Sequence, residues 1–307
     1  MSALFVLLVL GVVAYLAREV DWPAVVTSIQ AYSARTLLVA AALAAASYAT
    51  YCTYDLIGRQ QTGHKLRTLQ VVGVGFISYA FNLNIGSLVG GVAFRYKLYS
   101  RLGLQTEVIT RVLALSLATN WLGYCFLAGA VFLFQPLALP TDWKLGSGGL
   151  QVLGAALLLV VVGYLCLCFV ARQRVWHVRG QAFDLPSGRM ALMQLLVSSI
   201  NWLLIGGVVY TLLQYSIDYS TVLSALLLAS VAGLIVHVPG GLGVLEAVFV
   251  ALLAGRLAQG ELLAGLLAYR AIYYLAPLVL AGVLYFVVDA RARRADSAVL
   301  AGSRPGA

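Results

Sequence analysis

One apolar stretch, residues 230–255, is interrupted in its middle by a Pro-Gly-Gly sequence that begins at Pro239. Proline removes a backbone donor and glycine is a poor helix former, so we expect no continuous helix across this interruption. In hydrocarbon such a break is tolerated only where it is buried in protein or lines a cavity. Glu246 follows the break, and an ionisable group inside a membrane indicates a functional site by default. A broken helix with a charge beside its break is typical of a transporter site near the bilayer midplane.

The composition places the whole chain in the membrane. Only 10% of its 307 residues are charged and 62% are hydrophobic, with a mean hydropathy of +0.94. Soluble domains contain about 25% charged residues, so we predict an all-α, polytopic integral membrane helical bundle. Most of the basic residues fall in four short segments between or after apolar runs, at 59–67, 95–111, 172–189 and 291–304. This positive-inside pattern explains the net charge of +9 without a nucleic-acid partner.

The sequence predicts neither a metal site nor a cofactor. The four cysteines lie inside apolar runs, as buried thiols do, and the three histidines are too dispersed for a cluster: Cys52, Cys125, Cys166 and Cys168; His64, His177 and His237. No nucleotide-binding, hydrolase or zinc-protease motif is present. We therefore predict that the chain is not an enzyme.

The apolar runs and basic loops together predict the topology. We expect a single transmembrane domain over residues 1–290 and a basic cytoplasmic tail over 291–307, with both termini cytoplasmic. Residues 21–32 are predicted to form a short amphipathic helix on the outer surface. The predicted crossing helices are residues 2–17, 36–57, 106–134, 150–170, 190–214 and 262–288.

A second unusual stretch, residues 69–94, has basic clusters at both ends and the polar sequence Asn-Leu-Asn-Ile-Gly-Ser at 82–87. Basic charge at both ends predicts that the segment enters the membrane and returns, although an ordinary span followed by a positive outer loop is the alternative. With 230–255, this gives two re-entrant or broken helical stretches. Weak similarity between them is compatible with an inverted repeat or with chance, because glycine and serine are common here.

The candidate substrate-binding residues are polar and glycine residues. They lie in both stretches and in the spans predicted to face them. A lone asparagine in a span is commonly an interhelical hydrogen-bond donor, and His237 more often a satisfied core histidine than a proton carrier. Four asparagines together with two broken stretches shift the balance toward a polar cavity. The candidates are Asn82, Asn84, Gly90, Gly91, Arg95, Asn120, Asn201, His237, Gly240, Gly241, Glu246 and Arg270.

Arg270 lies in the last span, where an unpaired guanidinium is costly, so we expect a partner, for which Glu246 is the natural candidate. The pair could be a lock between two helices, or it could serve a headgroup or a proton. Arg95 could grip a lipid phosphate, but we expect it to reach the inner interface with its long side chain.

The chain resembles the transmembrane (flippase) region of the lysylphosphatidylglycerol synthase family, most closely its YbhN-type bacterial inner-membrane members. The resemblance extends over about residues 20–289. The matching segments are Tyr-Asp-Leu at 54–56, Gly-His-Lys at 63–65, Ser-Tyr-Ala-Phe-Asn-Leu at 78–83, Gly-Gly at 90–91, Arg-Tyr at 95–96, Leu-Tyr-Ser-Arg-Leu-Gly-Leu at 98–104, Thr-Arg at 110–111, Thr-Asn-Trp-Leu-Gly-Tyr at 119–124, Ser-Ile-Asn-Trp at 199–202, His-Val-Pro at 237–239, Gly-Val-Leu-Glu-Ala-Val-Phe at 243–249 and Leu-Ala-Tyr-Arg at 267–270.

This resemblance implies a bacterial inner-membrane protein that moves or handles an anionic phospholipid. It does not imply lysyl transfer, because these residues include no counterpart of the soluble aminoacyl-transferase domain. Our leading hypothesis is a flippase-type lipid transporter. A non-transporting accessory subunit of a membrane lipid-modifying enzyme is the alternative, and an integral-membrane lipid transferase is disfavoured because no catalytic grouping stands out.

Overall fold

The computed structural model describes residues 22–30, 32–135, 146–171, 175–178, 181–236, 241, 243–253 and 255–286. Within these residues, seven helices are long and apolar enough to cross a membrane, which confirms the predicted polytopic helical bundle. The predicted first span (residues 2–17), most of the loop after residue 135 and the tail 291–307 lie outside the described residues.

The helices are named here in chain order, and two of them adjoin π-helical segments. They are α1 (Trp22–Gln30), α2 (Ala34–Thr62), α3 (Thr68–Ile85), a π-helical segment (Ser87–Ala93), α4 (Phe94–Arg101), α5 (Thr106–Phe134), α6 (Ser147–Val170), α7 (Gly188–Leu212), α8 (Tyr219–Val236), α9 (Val244–Leu253) and α10 (Gln259–Tyr269). A second π-helical segment (Arg270–Leu275) continues α10 into one 28-residue apolar helix, Gln259–Phe286.

Two local features differ from the sequence-based expectation. The basic loop after α6 contains a short antiparallel β-hairpin, β1 (Val175–Val178) and β2 (Gln181–Asp184), so the all-α class has this small exception. Helix α2 continues five residues beyond its predicted end at residue 57. It begins at Ser33, whose side chain accepts a hydrogen bond from the Thr36 backbone N–H, and it ends at Gly63 in a left-handed conformation.

The central pair of the bundle is α2 packed along α7, with α5 packed against α2, α6 and α7. The Tyr32 hydroxyl donates a hydrogen bond to the Leu212 carbonyl at 2.7 Å, so the start of α2 and the end of α7 meet at one end of the bundle. The two central helices therefore run antiparallel, as the predicted topology requires.

The stretch after α2 folds back on itself, and we call residues 68–101 the first hairpin. The chain leaves α3 at Gly86, whose φ of +100° is a conformation that side chains with a Cβ rarely adopt. On the return, the ring of Phe94 stacks on Phe81 with centroids 4.2 Å apart, and the ring of Tyr99 lies 6.2 Å from His64 before α3. Both ends of the first hairpin therefore lie at the same end of the bundle. That it enters and leaves the membrane on one side stays a prediction, which this geometry supports.

The stretch 219–253, called here the second hairpin, is also interrupted. The described part of α8 ends at Val236 and α9 begins at Val244, and residues 237–240 and 242 lie outside the described residues. Gly241 and Gly243, between the two helices, have φ of +58° and +77°, which supports the predicted break. The two helices pack together, and Arg256, just after α9, donates a hydrogen bond at 3.5 Å to Thr221 at the start of α8. The second hairpin thus begins and ends at one end of the bundle.

The order of the elements fits the predicted inverted repeat. The first hairpin lies between α2 and α5, and the second between α7 and α10. Because α2 and α7 run antiparallel, a two-fold axis between them would exchange the two sets. The repeat stays a prediction, now with a specific pairing of elements.

The first hairpin should depend on Gly90, because a Cβ there would lie 2.2 Å from the backbone N of Asn82 and from the carbonyl carbon of Phe81. We predict that Gly90→Ala lowers the free energy of unfolding by up to about 3 kcal/mol, since backbone atoms cannot move aside as a side chain can. Denaturation of the purified protein in detergent, followed by circular dichroism, measures this change.

Gly73→Ala is the matched control in α3, because a Cβ at Gly73 meets nothing within 4 Å. It should leave stability unchanged or raise it by about 0.5–1 kcal/mol. Equal stabilities for the two variants would contradict the close approach at Gly90.

Candidate functional site

A cavity of about 330 Å³ lies between the tips of the two hairpins. The first hairpin contributes Asn82, Gly86 and Ser87 to its wall, and the second contributes Ser230 and Gly241. The remaining wall comes from the middles of α2, α5 and α7 and from the last apolar helix. The two broken stretches thus meet at one cavity.

Two asparagine amides face this cavity without a protein partner. Within the described residues, the side chains of Asn82 and Asn120 line the cavity and make no hydrogen bond to another residue. The backbone carbonyl of Asn120, in contrast, accepts hydrogen bonds from Ser198 and Trp202. Both residues are half-buried, so these amides are available to water or to a polar ligand.

Tyrosines form the wall opposite the hairpin tips and extend the polar region into the bundle. The ring of Tyr51 stacks on Tyr79 with centroids 3.6 Å apart. The hydroxyls of Tyr79 and Tyr273 lie 2.9 Å apart, and that of Tyr273 lies 2.7 Å from Ser47 Oγ. Ser47 in turn donates to the Asn201 side chain at 2.7 Å. This connected set fixes the tyrosine rings that shape the cavity.

Part of the apolar wall of the cavity is exposed. Three of its residues remain substantially exposed, namely Leu117 (42%) and Trp121 (40%) on α5 and Leu234 (48%) on α8. We call this exposed part of the wall, on α5 and the second hairpin, the lateral mouth.

Glu246 and Arg270 form the ion pair predicted from the sequence. Arg270 donates from Nε to Glu246 Oε1, and from Nη2 to Glu246 Oε2 at 2.9 Å and to the Gly241 carbonyl at 2.8 Å. The guanidinium also lies over the ring of Tyr274, 5.6 Å from its centroid. Gly241 and Tyr274 both line the cavity, so the pair lies directly behind its wall. The Arg270 and Glu246 side chains keep 9% and 17% exposure.

Arg95 does not extend to the interface, and that expectation was wrong. Its side chain is buried, and Nε and Nη2 donate to both carboxylate oxygens of Asp55 at 3.1–3.2 Å. Nη1 donates to the Gly91 carbonyl at 3.1 Å, and the Tyr99 hydroxyl donates to Asp55 at 2.9 Å. Asp55 on α2 neutralises the Arg95 guanidinium and accepts its hydrogen bonds inside the bundle, so the side chain does not need to reach the membrane–water interface. Arg95 does not line the cavity, so it supports the first hairpin rather than a ligand.

The other predicted residues divide by position. Asn84 is buried and donates to the carbonyls of Ala80 and Tyr274, and the buried Asn201 accepts from Ser47. Both side chains therefore link helices by hydrogen bonds, which is the alternative to a binding role given above. Gly90 and Gly91 permit the close approach to α3. His237 and Gly240 lie outside the described residues. The structure therefore brings Asn82, Asn120, Gly241, Glu246 and Arg270 to the cavity or its wall.

Sequence reasoning missed Asp55 and the tyrosines. Asp55 falls inside the predicted span 36–57 without an assigned role, and it lies fully buried within α2, where it binds Arg95. A usable signal was its position, since an aspartate in an apolar helix opposite an arginine-bearing hairpin requires a partner. The described residues contain no group of three or more His, Cys, Asp or Glu side chains that could hold a metal ion.

Comparison with known families assigns the chain. The family model described as the lysylphosphatidylglycerol synthase TM region matches residues 2–281. The chain belongs to this family. Together with the seven apolar helices, membership identifies a multi-pass membrane protein related to lipid-modifying enzymes.

The similar proteins differ in the share of their own length that aligns with this chain. The chain is 45% identical over 292 residues to the protein named inner membrane protein YbhN of Escherichia coli, covering 95% of this chain and 92% of that one. It is 31% identical to the uncharacterized protein slr0712 of Synechocystis, over 90% of this chain and 86% of that protein. A phosphatidylglycerol lysyltransferase of Staphylococcus haemolyticus matches at 32% identity over 93 residues, 29% of this chain and 11% of the enzyme.

The Asp55–Arg95 pair should act as a structural lock, because neither charge can reach water after its partner is removed. We predict that Asp55→Ala and Arg95→Ala each lower the free energy of unfolding by about 3–5 kcal/mol. The double variant should lose less than the sum of both, by about 1 kcal/mol or more, as a double-mutant cycle in detergent measures.

Arg59→Ala provides the comparison, because that guanidinium binds the Leu66 carbonyl and Thr68 at a loop rather than a buried carboxylate. Its loss should cost about 1 kcal/mol. Additive effects of the Asp55 and Arg95 variants would show that the pair does not act as a unit.

Proposed function

We propose that this chain is a flippase-type transporter that moves an anionic phospholipid across the bacterial inner membrane, and that it is not an enzyme. The cavity holds the headgroup, and the acyl chains stay in the surrounding lipid. The observation that carries the proposal is that the exposed apolar residues Leu117, Trp121 and Leu234 line the same cavity as the amides of Asn82 and Asn120. In the proposal, the lateral mouth opens to the hydrocarbon.

The size of the cavity favours a headgroup over a whole lipid. Small-molecule sites occupy about 300–1,000 Å³, and this cavity of about 330 Å³ is at the lower limit of that range. Two acyl chains would not fit, whereas the exposed apolar residues of the mouth suit a lipid tail that remains outside. A wholly water-soluble substrate would have no use for such a mouth.

The polar groups of the wall suit a phosphate. The amides of Asn82 and Asn120 can donate hydrogen bonds to phosphate oxygens, and Arg270 supplies a positive charge directly behind the wall. Ser87, at the start of the returning arm of the first hairpin, adds a hydroxyl to the cavity lining. Arg95 is assigned no role in binding because Asp55 occupies its guanidinium.

The proposal requires the side-chain amides of Asn82 and Asn120 for transport, and it does not require them for folding. We predict that Asn82→Leu and Asn120→Leu fold normally and lower the rate of phospholipid exchange by about tenfold to a hundredfold. A hydrogen bond to a charged group is worth about 1.5–3 kcal/mol, which corresponds to this range. Liposomes containing the purified protein and fluorescent phosphatidylglycerol, with external dithionite quenching, measure the exchange.

Thr50→Val is the matched control, because the Thr50 hydroxyl donates to the Ala46 carbonyl of its own helix and Thr50 does not line the cavity. It should leave exchange unchanged. Liposomes in which the wild-type protein gives no exchange above protein-free liposomes would contradict transport. Unchanged cellular lipid distribution in a Glu246→Ala, Arg270→Ala double variant would favour the accessory-subunit alternative.

A further inference from the structure

We propose that Glu246 is the proton-binding group of this site, so that binding of one anionic headgroup to Arg270 takes up one proton. This inference rests on the proposed function and assigns its coupling ion. The exchange is balanced in charge. The guanidinium of Arg270 releases the carboxylate of Glu246 and binds the phosphodiester, and the released carboxylate becomes a carboxylic acid by accepting a proton from water.

The two anions compete for the same edge of the guanidinium. Glu246 occupies Arg270 through Nε and Nη2, which is the two-pronged edge that a phosphate uses. Nη2 also donates to the carbonyl of Gly241, a residue of the cavity wall. Neither Arg270 nor Glu246 lines the cavity itself, so in this proposal a phosphate that enters from the cavity passes Gly241 to reach the guanidinium edge that Glu246 occupies.

A displaced carboxylate at this position has no other described cation to bind. Helix α9 packs against α8, which contains no Asp, Glu, Lys, Arg or His. It also packs against α10, whose one acidic residue is Glu261 in the first turn, about 13 Å along the helix from Arg270. The groups around the pair on this side are Arg270 itself, the hydroxyl of Tyr269 at the end of α10 and the hydroxyl of Tyr274 in the second π-helical segment. Two anions beside one cation in a low-dielectric wall are unfavourable, and protonation of Glu246 removes the excess charge.

The Glu246–Arg270 pair is more exposed than the Asp55–Arg95 pair. Glu246 keeps 17% exposure, whereas the Asp55 side chain is completely buried and bound by both Arg95 and Tyr99. Both of these ion pairs contact the cavity wall, since Nη2 of Arg95 donates to the Tyr51 hydroxyl at 3.4 Å. The difference is that Arg95 and Asp55 are sealed, whereas Glu246 is the more accessible carboxylate.

The experiment measures binding of short-chain phosphatidylglycerol to the full chain in phosphatidylcholine nanodiscs at about pH 5.5 and about pH 7.5. A phosphodiester does not titrate in this range, so a change in affinity reports a group of the protein. We expect the wild-type affinity to rise as pH falls, by up to about tenfold for each pH unit, because one proton binds with each headgroup. Glu246→Gln should bind with the same affinity at both values, since its amide can be displaced without taking up a proton.

Matched variants assign the proton. Glu261→Gln changes the same chemical group at the exposed start of α10 and should keep the wild-type pH dependence. His64→Gln and His237→Gln test the histidines; burial and the nearby Arg59 lower the pKa of His64 from its ordinary value. Loss of the pH dependence in a histidine variant, or its persistence in Glu246→Gln, would overturn the inference.

Proton uptake can also be measured directly on the wild-type protein, without any variant. In weakly buffered solution, a pH indicator should report uptake of about one proton for each bound phosphatidylglycerol. Binding without proton uptake would overturn the coupling and leave the proposed function intact. Absence of phosphatidylglycerol binding at either pH would instead contradict the proposed function itself.

Discussion

The backbone must satisfy its own hydrogen bonds inside a membrane, and this constraint organises the whole structure. Each of the two interrupted helices leaves N–H and C=O groups that lipid cannot bind. The only acceptable surroundings are protein and water, so the interruptions have to be enclosed by the other helices. When two such breaks occur in one bundle, enclosing both around one cavity satisfies them together. The position of the candidate site therefore follows from the cost of the breaks.

The two buried ion pairs show how burial decides the role of one chemical arrangement. Both join an arginine to a carboxylate between a hairpin and a long helix. The Asp55–Arg95 pair is sealed and saturated, so changing it leaves a charge without a partner in the core. The Glu246–Arg270 pair lies behind a wall made partly of Gly241 and Tyr274, where a ligand could compete for the cation. The first stabilises a hairpin, and the second can respond to what the cavity contains.

Sequence reasoning predicted the features that depend on local physics. Apolar run length gave the bounds of α5 to the residue, and the Pro-Gly-Gly sequence gave the interruption between α8 and α9. Glu246 and Arg270 were paired correctly because the short connection between their helices forces them to be neighbours. The Asp55–Arg95 pair was not found because its members are 40 residues apart and meet only through the fold of the first hairpin. The tyrosine wall was also missed, since a tyrosine in an apolar run has the pattern of an ordinary core residue.

The wall of the cavity is uncharged and has one ion pair behind it, an arrangement that suits a substrate that must be released after binding. A guanidinium projecting into a dry cavity would bind a phosphate strongly and release it slowly, which hinders transport. Here the charge of Arg270 is already balanced by Glu246, so an arriving anion gains only the difference between two similar partners. The amides of Asn82 and Asn120 add neutral hydrogen bonds of moderate strength. Such an arrangement selects an anionic headgroup by exchange, and the same exchange in reverse returns it to the lipid.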